Sequence, residues 1–158
     1  MKYIKLLFGF LFMLSILWIG KLLFNHLDNK VSLKSTKDIN ESWESFSTEK
    51  INNYIEKGYP VFVDVTADWC ITCQFNKKNV LERKQVIRYM NEKEIKKIRA
   101  DWTLPDEKII DYLKSFNKYG IPFNVIYSKK HPDGFTFKEV LNLKEFMIIL
   151  EEAITNSN

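Results

Sequence analysis

The sequence predicts an α/β domain with a central mixed sheet flanked by helices, set behind one N-terminal apolar segment. Three observations predict it. Val61 to Thr66 is an unbroken run of β-branched and aromatic residues around a single acid, the pattern of a strand buried on both faces. Segments with apolar residues at helical spacing lie on either side of it and alternate with a further strand-like run from Ile95 to Trp102. Phe123 to Tyr127 then precedes a Pro132-Asp133-Gly134 turn signal and a run from Phe135 to about Val140 that can pair back antiparallel. The string reads as a β-α-β unit followed by a β-β-α unit. No internal repeat or low-complexity tract interrupts it.

Taken in order, the chain opens with Lys2 and Lys5, an uncharged apolar run from Leu6 to Gly20, then Lys21 and the apolar Leu22, Leu23 and Phe24. The run is apolar on every face and sits behind two lysines, which predicts a membrane anchor with the following chain exported. The uncharged stretch is shorter than the roughly 20 residues a span usually takes, but Lys21 can snorkel and extend it to Phe24. Trp18-Ile19-Gly20-Lys21-Leu22-Leu23 offers no small-x-small cleavage site, which favours an uncleaved anchor over a removed signal. Residues 1–24 are therefore the expected membrane segment, 25–40 a polar linker rich in Lys, Asn, Ser and Asp, and 41–158 the folded domain.

Within the domain a short helix is predicted from Thr48 to Glu56, ended by Gly58 to Pro60. Residues from Ile71 to about Met90 read as helix with a break near Glu82. Another helix is predicted from about Pro105 to Tyr119, with Pro105 in its first turn, Asp106 and Glu107 at its positive end, Lys114 and Lys118 at its negative end and Gly120 beyond. Leu143, Phe146, Met147, Leu150 and Ile154 form one face of a final helix.

Composition narrows the function. A chain of 158 residues with 46% hydrophobic and 15% aromatic content can fill one core. Its formal charge of +4 comes largely from Lys2, Lys5 and Lys21, and the remaining charges are close to balance. No basic surface for nucleic acid is indicated, because phosphate binding needs clustered positive charge.

The chain contains two cysteines, and both lie in Cys70-Ile71-Thr72-Cys73. A disulfide-stapled scaffold would spread four or more along the sequence, so this is better read as a reactive pair. Dithiol exchange needs one exposed thiolate to attack a disulfide and a second thiol to resolve the mixed disulfide. At the start of a helix Cys70 meets unpaired N–H groups that stabilise its thiolate, while Cys73 lies almost one turn on and deeper. Cys70 is the expected nucleophile and Cys73 the resolving thiol. A zinc site is disfavoured, since the only further ligands are His26 beside the apolar segment and His131 in a predicted turn. Covalent haem attachment would want His where Gln74 stands. No cofactor is expected beyond the redox-active disulfide itself.

Asp64 is an acid in an apolar strand six residues before Cys70, a placement that is costly unless the acid is protonated or used. It is expected to exchange a proton with Cys73. Trp69, a large aromatic directly before the nucleophile, can shield the thiolate and offer a docking face. Ile121-Pro122 opens a predicted strand.

Together, Val61-Phe62-Val63-Asp64-Val65-Thr66-Ala67-Asp68-Trp69-Cys70-Ile71-Thr72-Cys73, Ala100-Asp101-Trp102-Thr103 and Gly120-Ile121-Pro122-Phe123 resemble the C-terminal thioredoxin-like domain of the thiol:disulfide interchange protein DsbD and its ScsB-type relatives, from about Trp43 to Ala153. The resemblance implies a thioredoxin-like fold with Cys70 and Cys73 as redox pair, Asp64 as buried acid, and Pro122 as a cis-proline lying against the motif, with Trp69, Ile121 and Pro122 the docking residues. It implies a reducing role in the periplasm, with electrons taken from a membrane-embedded thiol donor and passed to oxidised exported proteins; cytochrome c maturation is one purpose that fits. Two departures stand out. The chain has one apolar segment rather than a multi-helix membrane domain, so the donor must be a separate protein, and Lys77 stands where family members often place an acid. The alternatives are a disulfide-forming oxidase and a copper-delivery or docking module without redox turnover.

Overall fold

The computed structural model describes Gly9, residues 11–21 and residues 43–155. The chain divides into two compact units, Met1–Glu41 and Ser42–Asn158. In the first, residues 11–21 are helical and the large apolar side chains from Leu11 to Ile19 are exposed. Among the described residues no helix is long and apolar enough to cross a membrane. A helix over residues 11–21 covers roughly 16 Å of a hydrocarbon layer of about 30 Å. The expected membrane helix is to that extent not found; the rest of the segment through Phe24, and the expected linker over 25–40, lie outside the described residues.

The second unit is a five-stranded mixed sheet carrying helices. In chain order its elements are β1 (Trp43–Ser45), α1 (Thr48–Glu56), β2 (Val61–Thr66), α2 (Ile71–Asn76), a π-helical turn (Lys77–Leu81), α3 (Lys84–Glu92), β3 (Lys96–Asp101), α4 (Glu107–Ser115), β4 (Phe123–Tyr127), β5 (Phe135–Thr136) and α5 (Leu143–Thr155). The strand order is β1-β3-β2-β4-β5. β2 runs parallel to β3 and antiparallel to β4, so it is interior on both edges, and all six of its residues are buried.

Alternation along the strands sorts the side chains into two layers. Val61, Val63 and Val65 pack with Ile98, Ala100, Phe123, Val125 and Tyr127, under Ile109, Tyr112 and Leu113 of α4. Phe62 faces the other way, edge-on to Trp43, Phe137 and Phe146 at 6.1, 5.7 and 5.5 Å between ring centroids. Asp64 and Thr66 follow Phe62 on that second layer.

Four expectations are corrected. β1 was not expected; three residues are too few for a periodic signal, and it forms by adding parallel to β3. α4 starts at Glu107 with Asp106 as its cap, the Asp106 carboxylate accepting the Lys108 N–H at 2.9 Å, so Pro105 lies before the helix rather than in its first turn. The same helix ends at Ser115, well short of Tyr119. Asn117 takes a left-handed conformation (φ 53°) three residues before Gly120, and the Lys118 N–H closes back to the Leu113 carbonyl at 2.9 Å. β5 stops at Thr136 instead of reaching Val140, because Phe137 turns in against Phe62 and Phe146 and the next residues are claimed by Asn76.

Asn76, at the end of α2 and buried, donates to the Glu139 carbonyl at 2.7 Å and accepts the Leu141 N–H at 3.0 Å. The Phe137 N–H still reaches the Asn124 carbonyl of β4 at 2.9 Å; beyond it the Asn76 side chain takes over from the ladder and pins the helix that carries the cysteines. Asn76→Ala leaves the buried Leu141 N–H without a partner and removes the bond to the Glu139 carbonyl, and is expected to destabilise the domain by about 1–3 kcal/mol. Urea unfolding checks this; a loss below about 0.5 kcal/mol would show the staple to be dispensable.

Candidate functional site

β2 runs straight into the motif. After Thr66 the chain turns through Ala67, whose carbonyl accepts the Cys70 N–H at 3.2 Å and the Gln74 side-chain amide at 3.3 Å. Cys70 occupies the cap position of α2 in extended conformation, and its sulfur accepts the Cys73 N–H at 3.2 Å. The two cysteines form a disulfide with an S–S distance of 2.03 Å. Cys70 is 7% exposed and Cys73 2%, so the outer and inner members are as the helix position dictates.

Of the expected docking residues, Trp69 projects outward at 61% exposure, followed by Ile71 at 86%. Ile121, half-buried, packs against the small cluster formed by Ala67, Cys70 and Cys73. Pro122 follows it, buried, after a cis peptide bond. Beside the Ile121-Pro122 segment lies a cavity of about 150 Å³ lined in part by Tyr119, Phe137 and Glu139.

Asp64 is buried at 2% exposure on β2, and it is bonded not to a cysteine but to Arg99 of β3, whose Nε donates to Oδ2 at 3.3 Å. Arg99 is the register partner of Asp64 on one side and Asn124 of β4 on the other, so three polar side chains form a row across the interior of the sheet. The Arg99 guanidinium also stacks over the Trp43 ring at 4.2 Å. Burial pushes the Asp64 carboxyl above its ordinary value, against the opposing pull of Arg99 and Lys77, with Glu82 adding to the rise. Arg99 Nη2, Thr66 Oγ1 and both side-chain polar atoms of Asn124 are buried without a hydrogen-bond partner in this layer.

Arg99 and Asn124 were not singled out from the sequence. A signal was present for Arg99: Lys97, Arg99 and Asp101 alternate with Ile98 and Ala100, which marks β3 as charged on one face, the face Asp64 shares. Asn124 had no comparable signal. Of the two histidines weighed as metal ligands, His131 lies in a turn against the Phe135 ring, and His26 lies outside the described residues.

A family model described as thioredoxin-like matches residues 42–129, more than half of the chain. Among solved structures, the C-terminal domain of DsbD from Neisseria meningitidis in its reduced form is 19% identical, with a TM-score of 0.54 over 70% of this chain and 99% of that one. Chloroplastic thioredoxin z is 22% identical, with a TM-score of 0.55 over 73% and 96% of the two chains. A protein described as DsbH oxidoreductase is 16% identical, with a TM-score of 0.53 over 72% and 84%. At these identities the likeness is one of fold. No curated protein matches the chain.

The raised Asp64 carboxyl has a thermodynamic consequence. The folded protein keeps this proton to higher pH than the unfolded chain does, so stability falls as pH rises from the ordinary Asp value of about 4 through the folded value. The difference in urea stability between wild type and Asp64→Asn is expected to shift with rising pH in favour of the variant across that window, then to level off. A shift toward the wild type instead would mean that Arg99 outweighs burial.

Proposed function

The chain belongs to the thioredoxin-like family, and from that premise we propose that it is a thiol:disulfide oxidoreductase acting as a reductase of exported protein disulfides. The observation that carries the reading is the Cys70–Cys73 disulfide at the start of α2, with the outer sulfur facing a backbone N–H and the inner one covered.

In the reduced protein the Cys70 thiolate attacks one sulfur of a substrate disulfide, forming a mixed disulfide and releasing the other substrate sulfur as a thiolate. Cys73 then loses its proton, for which Asp64 is the proposed acceptor, and attacks Cys70 Sγ. The second substrate thiol departs, the Cys70–Cys73 disulfide forms, and two electrons have passed to the substrate. A separate membrane-embedded thiol protein is the proposed donor that reduces the pair again. Trp69, Ile121 and Pro122 are the proposed docking residues, Trp69 by its exposure and Ile121 by its packing against the cysteine cluster. The proposed location is the outer side of the plasma membrane, with residues 1–24 as tether; its support is the apolar run behind Lys2 and Lys5.

Two features support reduction over oxidation. The residues between the cysteines, Ile71 and Thr72, bring no charge or imidazole to stabilise the thiolate. Disulfide-forming oxidases on this fold commonly carry an inserted helical subdomain, whereas here the chain between Cys73 and Pro122 is taken up by α2, the π-helical turn, α3, β3 and α4.

The reduction potential of the full-length protein is expected to lie nearer about −270 mV than about −120 mV, measured by equilibration with glutathione. A value at the oxidising end would reverse the proposed direction. Cys73→Ser is expected to accumulate mixed disulfides through Cys70 with exported proteins, released by reducing agent. Cys70→Ser should trap far less, because Cys73 is covered. Equal trapping by both variants would overturn the assigned roles, and trapping by neither would remove the reading itself.

A further inference from the structure

Trp69 is exposed, yet it is held. Its indole N–H donates to the Thr103 carbonyl at 3.3 Å, and its ring lies tilted against Trp102 at 6.4 Å between centroids. The preceding amide, that of Asp68, donates to the Thr103 hydroxyl at 2.9 Å. Thr103 is itself fixed by Asp101 at the end of β3, whose Oδ1 accepts both the Thr103 N–H at 2.9 Å and the Thr103 hydroxyl. Trp102 continues the strand pairing through its N–H to the Thr66 carbonyl at 2.7 Å. Four hydrogen bonds thus run from Asp101 through Thr103 to the two residues directly before Cys70.

We propose that Thr103 is a positioning residue for disulfide exchange, holding Trp69 and the Asp68 amide so that the docking face beside Cys70 is formed before a substrate arrives. The inference rests on the reading of Cys70 and Cys73 as the exchanging pair. The chemistry selects a hydroxyl at this position. A carboxylate only accepts, so Asp101 takes the hydroxyl proton and leaves the Thr103 oxygen lone pairs free for the Asp68 N–H. Serine keeps that double role, whereas valine matches the shape of threonine and loses both bonds. An exposed tryptophan held in one orientation loses little further freedom when a polypeptide packs on it, so the benefit falls on binding of large substrates. A small disulfide that touches only the sulfur gains nothing from it.

The test compares, in the reduced full-length chain, the rates at which a synthetic peptide with one intramolecular disulfide and the small aromatic disulfide dithionitrobenzoate are reduced. Thr103→Val is expected to slow the peptide reaction about three- to tenfold, the scale of one or two lost hydrogen bonds, and to leave the small-disulfide rate within about twofold. Thr103→Ser is expected to restore the peptide rate. Combined with Trp69→Phe, the valine change should cost little beyond Trp69→Phe alone, because both act through the same ring. Amide exchange supplies a readout independent of activity: the Asp68 N–H should be protected in the wild type and in Thr103→Ser and lose protection in Thr103→Val. Equal slowing of both disulfides, an unchanged peptide rate, additive effects, or failure of serine to restore would each overturn the proposal. A wild type with a protected Asp68 amide that reduces neither disulfide would instead overturn the reading of the cysteine pair.

Discussion

Backbone pairing of β2 on both edges, parallel to β3 and antiparallel to β4, is the constraint on which the rest of the domain depends. A strand with no free edge has its register set twice. A slip of one residue against either neighbour would turn Asp64 into the layer of Val61, Val63 and Val65 and expel a valine into the layer of Phe62. The same pairing aligns Arg99 and Asn124 with Asp64. It also delivers the chain after Thr66 at the end of the sheet where α2 begins, which is why Cys70 caps that helix.

The two faces of the sheet divide their tasks. Under α4 the packing is aliphatic and aromatic throughout, and it supplies cohesion. On the other face the layer begins with Phe62 and its aromatic neighbours but becomes polar toward the motif, through Asp64, Arg99 and Thr66. Lys97, also buried on β3, donates to the Asn91 side-chain Oδ1 at 2.6 Å, and burial lowers its pKa. Ionised and half-satisfied groups in such a place cost stability that apolar residues of the same volume would not. The aromatic cluster offsets that cost at the far end of the same layer, so the polar end is free to be specified by chemistry rather than packing.

Much of this was legible in the sequence because it rests on local signals. The buried strand at Val61 to Thr66, the helix from Thr48 to Glu56 and the break near Glu82 follow from residue periodicity and capping, which do not depend on distant partners. β1 was illegible because a strand of three residues exists only through its partner. The end of α4 was misread because Gly120 is the residue most suited to a left-handed turn, yet Asn117 adopts it and lets Phe116 stay packed on Tyr112 and Phe123. The cysteines, Asp64 and Trp69 could be found by type and spacing. Their supports, Arg99, Asn124, Asn76 and Thr103, meet partners between 34 and 65 residues away, and no window along the chain brings them together.

Lys77 ties the buried acid to the surface loop. It opens the π-helical turn after the cysteine helix, and its charge pulls the pKa of both Asp64 and Asp101 downward. The two carboxyls respond differently because their surroundings differ. At Asp64 burial prevails, and the group holds its proton above the ordinary range. At Asp101 burial is outweighed by the Thr103 hydroxyl and amide, with Lys77 and Arg99 adding to the fall, so the carboxylate stays charged and keeps hold of Thr103. A lysine at this position therefore favours the ionised form at both places: at Asp64 it brings the proposed proton acceptor closer to use at neutral pH, and at Asp101 it secures the anchor of the loop before Cys70. An acid in its place would push both carboxyls the other way, so the half-buried residue 77 helps to set how the site is charged.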